Sequence, residues 1–454
     1  MRAKIFEEKR IEIIFLIGLF IFFTMWAVIQ PLNASPDEQM RYLIPQYIYN
    51  HGTLPHGGDP EIMNAAWGNS YGFTPILSYI FSAGLMKVVS IFSTNEMVLL
   101  ISARMVSVFF GVGTAWMAIK IGKKLFRKSY RWLYILLVTL LPQAVFITSY
   151  VNNDSMAMFS CAWIVYMWII GRERSWDYKA CIGLGAAIGL CALSYYYAYG
   201  FILCSIVYFC LSNLLFTDKK WDIKNLIKKG LIITVVVVAI AGWWFARNYI
   251  LYDGDIIGMK TCDLYGEMYA IDELKPSNRM TPLRSGESLW YMIIGKHWLY
   301  TVYRSFIGVF GPMNIFLSNW MYFVYDMLFL SAFIGFLMRI RKLFAVRCNK
   351  AWAADGIFNW TMFFAALIPN ILNVYYSYTS DYQPQGRYSL MMLVPMAYFV
   401  VLGLEYFIEK IFKSKNRPVV IGILCLAIIL IAVNSYVSIF APEYMDFFRS
   451  IQWS

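Results

Sequence analysis

The sequence predicts an all-α polytopic membrane protein of about eleven transmembrane helices, and three observations carry that prediction. Of its 454 residues, 60% are hydrophobic and only 15% charged, against roughly 45–50% apolar in an ordinary globular domain. Apolar runs approaching the ~20 residues that a bilayer crossing needs recur from Ile11 almost to the C-terminus. Lys and Arg lie mainly between those runs: 27 of the 39 fall in six links, residues 1–10, 120–131, 171–179, 217–229, 339–350 and 409–417. Such links concentrate on the cytoplasmic side. The net charge of +12 therefore reports orientation, and nucleic acid is not expected as a partner.

The first run, 11–30, follows a basic stretch as a secretory leader would. Its length and its Pro31-Leu32-Asn33 exit without a small-residue cleavage site favour a retained helix. Between the first two basic links lie two further apolar stretches, 75–92 and 97–119, and if both crossed, the basic 120–131 would land outside. The first is short, begins with Thr74-Pro75 and carries Lys87, so it is expected to be re-entrant or interfacial. The remaining spans fall near 98–119, 132–149, 155–170, 180–196, 200–216, 231–246, 322–338, 356–374, 388–408 and 418–437. This threading makes 1–437 one membrane domain with long outer loops at 31–97 and 247–321. Residues 438–454 become a short outer tail. Loops of that length are usually functional or disordered, and these are rich in Trp, Tyr, Pro and Gly.

The eight cysteines are scattered, mostly within apolar runs, without zinc or disulfide spacing. The informative polar residues lie on the outer side. Asp37 and Glu38 follow the first helix directly, where restricted water would raise the basicity of a carboxylate. A structural reading competes: Ser35, Pro36 and Glu38 form a capping box, and Arg41 can pair with either acid along a helix. Neighbouring helical residues point about 100° apart, so at most one of the two acids would face a substrate. Other candidates are the turn carrying Asn153 and Asp154, the stretch Gly242–Asn248 with Arg247, and the segment Ser380–Tyr388 with Gln385, Arg387 and Tyr388. Arg247, Arg304 and Arg387 are arginines on the side where positive charge is disfavoured. A lipid phosphate would partner them, since guanidinium binds phosphate oxygens in a fork.

Pro36-Asp37-Glu38 early in a long outer loop, Asn152-Asn153-Asp154 after the third span, Trp243-Trp244-Phe245-Ala246-Arg247-Asn248 at the seventh and Gln385-Gly386-Arg387-Tyr388 before the tenth resemble the GT-C superfamily of integral-membrane glycosyltransferases. The likeness runs from about residue 30 to 400 and is greatest to a bacterial group related to protein O-mannosyltransferases and lipid A aminoarabinose transferases. The resemblance implies a GT-C-like fold, a polyprenyl-phosphate-sugar donor lipid, an extracytoplasmic acceptor and inversion at the anomeric carbon. It makes Asp37 the catalytic base, with Glu38 supporting it or exchanging roles. Asp154 and Asn153 become acceptor or metal contacts, Arg247, Arg387 and Arg304 donor-phosphate ligands, and Arg41, Tyr42, Gln385 and Tyr388 a substrate loop.

The short stretch after the last helix favours a cell-envelope glycan or glycopolymer acceptor over a peptide. A divalent cation is a possible cofactor, with His51, His56 and His297 as weak ligand candidates. The expected location is a bacterial plasma membrane, N-terminus in the cytoplasm and active site outside. The competing functions are a lipid-linked-glycan flippase or transporter, which would carry charge near the midplane, and a polymerase or ligase using diphosphate-linked chains.

Overall fold

The computed structural model describes residues 2–216, 222–345 and 350–451. Parts of the basic links 217–229 and 339–350, Cys348 and the last three residues of the expected tail lie outside the described residues. The chain is helical almost throughout. The exception among the described residues is a two-stranded antiparallel hairpin, β1 (Val309–Phe310) with β2 (Ile315–Phe316).

Nine helical stretches among the described residues are long and apolar enough to cross a membrane. They include α1 (Arg2–Ile29), whose Ile13, Ile14, Ile17 and Ile21 face outward, as befits a helix solvated by lipid tails. Next comes α2 (Glu38–His51) in the first loop, followed by α3 (Leu77–Val89) and α4 (Glu96–Leu125). At 13 residues, about 20 Å, α3 is too short to span, as expected. It lies against α4, where the Ser82 hydroxyl donates to Ala103 O at 3.0 Å.

Two predicted spans come out differently. Residues 132–149 are not one helix but α5 (Lys128–Leu140) and α6 (Pro142–Ile147). Pro142 has no N–H to donate and pushes Leu141 out of the helical region, to φ −60°, ψ 122°. After α7 (Asp154–Glu173), the predicted 180–196 becomes α8 (Tyr178–Ala192), 15 residues or about 22 Å, against a hydrocarbon thickness of about 30 Å.

The chain continues through α9 (Tyr199–Phe216), α10 (Ile223–Leu251), α11 (Met259–Tyr269) and α12 (Trp298–Gly308). Then follow α13 (Asn319–Leu343), α14 (Lys350–Thr379), α15 (Leu393–Ile411) and α16 (Arg417–Asn434). Gly335 and Gly403 let α13 and α15 touch backbone to backbone; a Cβ on Gly403 would stand 2.0 Å from Ala332 O. Small residues serve this purpose where lipid supplies no hydrophobic drive. The segment expected as a tail is helical through Ser450: a π turn over Ser435–Phe440 leads into α17 (Ala441–Ser450). Phe440 stacks on Trp26 of α1, ring centres 4.2 Å apart, so the last and first helices share one aromatic core.

The two long loops are ordered and roof one end together. Gly57 N donates to Tyr252 Oη at 3.0 Å, Ile271 N to Ala66 O at 3.1 Å, and Arg247 Nη2 to Pro55 O at 2.6 Å.

Candidate active site

The site begins where α1 stops. The chain turns over residues 30–37 with Asn33 and Asp37 in the left-handed region (φ 65° and 60°), sparsely populated by non-glycine residues and tolerated best by Asn and Asp. α2 starts at Glu38 with Asp37, not Ser35, at its N-cap, and Asp37 makes no side-chain cap. The expected capping box is therefore absent. The Ser35 hydroxyl instead donates to Gln30 Oε1 at 2.7 Å, and Gln30 Nε2 donates to Ser149 O at 2.9 Å. Freed from capping, the two acids diverge.

Glu38 turns inward. Its carboxylate forms a fork with Arg104 of α4, Nε to Oε1 and Nη2 to Oε2 both at 2.7 Å, and accepts from Val151 N at 3.1 Å. Arg104 also donates to the carbonyls of Ala27, Gln30 and Pro31. Both side chains are fully buried. Glu38 thus ties α2, the end of α1, α4 and the turn before α7 together. Arg104 is absent from the sequence candidates. The signal was an arginine inside an apolar span, which needs a partner.

Asp37 turns toward the 3₁₀ segment Gly386–Met392 that leads into α15. Its Oδ2 accepts from Arg387 Nη2 at 2.6 Å. Gly386 makes this possible, since its N–H donates to the Ser305 hydroxyl at 2.7 Å and a Cβ there would stand 2.1 Å from Phe306 N. Burial pushes the Asp37 carboxyl up, but the charges of Arg387 and Arg41 and hydrogen bonds from Arg387 and Tyr71 outweigh it, holding the carboxyl down at about 2. The raised basicity expected from restricted water is thus reversed by the arginines.

Arg41 pairs with neither neighbouring acid. Its Nη1 reaches Asp154 Oδ2 at 2.8 Å and Asn153 Oδ1 at 3.2 Å, while Asn153 Nδ2 donates to Ser194 O at 3.1 Å. Asp154 opens α7, where the helix dipole favours an anion. Asn152 closes the turn by accepting from Ser155 N at 2.9 Å.

The hydrogen-bond inventory is lopsided. Arg41 Nε and Nη2 and Arg387 Nε and Nη1 are buried without partners, as are Asp154 Oδ1 and the Tyr79 hydroxyl. Unpaired buried donors are costly, and both guanidinium groups leave them in the region of Asp37 and Asp154. Asp381, just before the Arg387 segment, is pushed up by burial and by the Asp37 charge, against the opposing effects of Gln383 and Arg279; Gln383 Nε2 donates to its Oδ2 at 2.5 Å. Neither Asp381 nor Tyr71 was among the candidates. Asp381 was visible only as part of the Ser380–Tyr388 segment.

Of the remaining candidates, Tyr388 joins this group, its hydroxyl accepting from Arg387 Nη2 at 3.0 Å, while Arg247 and Arg304 are engaged elsewhere. Arg247 holds Pro55 O and lies 5.0 Å from the Trp244 ring. Arg304 donates to Asn319 Oδ1 at 3.2 Å and covers the Tyr322 ring at 3.3 Å. Tyr42 is packed in the loop's apolar core with Ile44 and Tyr79. The Tyr388 ring stacks on Tyr197, 4.9 Å between centres, and its hydroxyl donates to Gln383 Oε1. Gln385 presents a buried, unpartnered Oε1.

The histidines are not gathered. His51 pairs with Glu61 at 2.8 Å on an exposed surface, and His297 stands at the N-cap position of α12 without a side-chain cap. His56 accepts from Gly58 N and lies beside Tyr252. No group of three or more His, Cys, Asp or Glu side chains able to hold a metal occurs among the described residues. Of the acids considered with them, Glu38 is engaged by Arg104 and Asp154 by Arg41.

No protein-family profile matches the chain, and no curated protein sequence does. Solved structures match along nearly its whole length. The archaeal oligosaccharyltransferase AglB from Archaeoglobus fulgidus, in complex with an inhibitory peptide and a dolichol-phosphate, is similar over 96% of this chain and 56% of its own, with TM-score 0.58 and 13% identity. ArnT from Cupriavidus metallidurans in the apo state is similar over 96% of this chain and 67% of its own, with TM-score 0.52 and 12% identity. The chain thus spans little more than half the length of the oligosaccharyltransferase it matches. At such identities the likeness is one of fold: the chain shares the helical membrane architecture of these two proteins.

Proposed function

We propose that the protein transfers a sugar from a polyprenyl-phosphate donor to a hydroxyl of an extracytoplasmic glycan or glycopolymer, with inversion. The observation that carries this reading is the buried pair Arg387 and Arg41, with four nitrogens unpartnered beside Asp37 and Asp154. The dolichol-phosphate in the AglB complex supports a lipid phosphate as the anion. In this reading the basic links lie in the cytoplasm and the site faces outward from a bacterial plasma membrane.

In this mechanism the donor phosphate takes the open donors of Arg387 and Arg41. The acceptor oxygen attacks the anomeric carbon from the face opposite the phosphate, the bond from that carbon to the phosphate oxygen breaks, and the acceptor proton passes to Asp37. Held at about 2, Asp37 is a weak base in the resting state. A phosphate on the remaining Arg387 nitrogens would bring negative charge beside Asp37, and a nearby like charge raises a carboxyl's affinity for a proton. The leaving phosphate keeps its charge against the two arginines, as electrostatic stabilisation of a leaving group requires. Glu38 and Arg104 position Asp37 without touching substrate.

Binding of polyprenyl phosphate to the purified protein tests this reading. Wild type should bind it and Arg387→Gln should lose most of that affinity; equal binding by both would remove the phosphate site.

A further inference from the structure

Arg387 is held from a side that the transfer itself does not use. A guanidinium Nη carries two hydrogens, and those of Arg387 Nη2 are both spent, one on Asp37 Oδ2 at 2.6 Å and the other on the Tyr388 hydroxyl at 3.0 Å. The Tyr388 hydroxyl in turn donates to Gln383 Oε1, and Gln383 Nε2 donates to Asp381 Oδ2 at 2.5 Å. An unbroken line of side chains therefore joins the carboxylate of Asp381 to that of Asp37, through Gln383, Tyr388 and Arg387.

The line has a direction, and both ends dictate the same one. A guanidinium only donates and a carboxylate only accepts. Because Tyr388 accepts from Arg387, its single hydrogen points at Gln383, which puts the amide oxygen there and the amide nitrogen toward Asp381. Starting from Asp381 gives the same answer, since a carboxylate takes the amide nitrogen and leaves the oxygen for the tyrosine. Reversing any link strands a buried polar group, which is costly, and a fully satisfied buried network holds one geometry.

The surroundings brace the middle of the line. Asp381 N donates to Tyr376 O at 3.1 Å near the end of α14, and the Ser377 hydroxyl donates to Gln383 O at 3.2 Å. The Tyr388 ring lies nearly parallel to that of Tyr197, with 15° between their planes. With Nη2 anchored in this way, the open donors of Arg387 are Nε and Nη1.

We propose that Asp381 is a positioning residue: acting through Gln383 and Tyr388, it fixes the Arg387 guanidinium so that Nε and Nη1 stay open to the donor phosphate. This rests on the phosphate reading of Arg387 given above. Asp381 itself touches no substrate. Asp381→Asn supplies an amide that donates as well as accepts, which frees the Gln383 amide to turn over. The Tyr388 hydrogen then loses its acceptor, and Arg387 loosens.

Titration of the full-length protein and its variants with polyprenyl phosphate tests this. Asp381→Asn and Tyr388→Phe should each weaken binding about tenfold. The double variant should lose no more than either alone, because the second change removes a link already broken. Exchanging the groups, Asp381→Asn with Gln383→Glu, should recover most of the affinity: a carboxylate in the middle accepts from both neighbours and restores the direction of the line. A contact that merely closes the turn would gain nothing from that exchange. Wild-type affinity in Asp381→Asn, losses that multiply in the double variant, or an exchange that recovers nothing would overturn the proposal and leave the phosphate site standing. A wild type that binds no polyprenyl phosphate would instead overturn both.

Discussion

Arg387 and Asp37 lie 350 positions apart in the chain and meet at 2.6 Å. The contact joins the first long loop to the entry of α15, and with Arg41 and Tyr71 it outweighs burial in holding the Asp37 carboxyl down. If Asp37 takes the acceptor proton, Asp37→Asn should lower the rate of sugar transfer from a polyprenyl-phosphate donor by about 10²- to 10⁴-fold, with the helical circular dichroism spectrum unchanged. Full transfer by the Asn variant would exclude a catalytic carboxylate at this position.

The same contact gives an acid dependence. The Asp37 carboxyl is depressed from 3.8 to about 2 in the folded protein. A depressed carboxylate stabilises the fold above its unfolded value, and that contribution disappears as pH falls through the folded value. The stabilisation should therefore be complete above about pH 5 and lost between about pH 4 and pH 2. Its size is on the order of 1–2 kcal/mol, since the side chain retains some solvent. Thermal unfolding in detergent across that interval should show a steeper loss for wild type than for Asp37→Asn; parallel curves would contradict the assignment.

Glu38 and Arg104 predict a different signature. Glu38→Gln leaves the fully buried Arg104 charge without its counter-ion, and breaking such a pair typically costs about 3–5 kcal/mol. The double variant Glu38→Met, Arg104→Leu should recover much of that loss, because apolar replacement of a whole buried pair is often neutral. Melting temperatures of the single and double variants check this, and a double variant less stable than either single would refute it.

The arginines should rank by their place in the structure. Substituting Arg387 or Arg41 with Gln should weaken polyprenyl-phosphate binding by tenfold or more, the effect of losing a charge-assisted contact of about 1.5–3 kcal/mol. Arg304→Gln should change it less than about twofold, because surface charges contribute little and this guanidinium is spent on Asn319 and Tyr322. Titration of the three variants with one lipid gives the order directly.

Gly386→Ala offers a geometric test. Its new Cβ would stand 2.1 Å from Phe306 N, so the Arg387 segment must shift. A displacement of about 1 Å can cost about 10² in rate, and transfer should fall accordingly while Arg387 itself is intact. Activity equal to wild type would show that the close approach is dispensable.

The membrane architecture was legible because apolar length and charge placement act over whole segments. Residues 132–149 misled because averaged hydropathy overlooks the one Pro142 that ends a helix and starts another. The site was half legible. Asp37, Asp154, Asn153, Arg41 and Arg387 were visible as polar residues on the outer side, but their pairing was not. Sequence spacing offered Arg41 to Asp37 or Glu38, whereas the left-handed Asp37 backbone turns α2 so that Arg41 meets Asp154. Glu38 could not be told from a catalytic acid without Arg104, whose apolar neighbours disguised it as part of a span.

The aromatic contact between α1 and the end of the chain carries a consequence for biosynthesis. Trp26 stacks on Phe440, and Tyr436 donates to Met25 O at 3.4 Å across 411 positions of sequence. At about 5–20 residues per second, the ribosome needs roughly 20–80 s to deliver that partner after α1 has emerged. Throughout that interval the fully buried Trp26 face is open to lipid or to insertion factors. Completion of this aromatic core therefore waits for the segment around Tyr436 and Phe440.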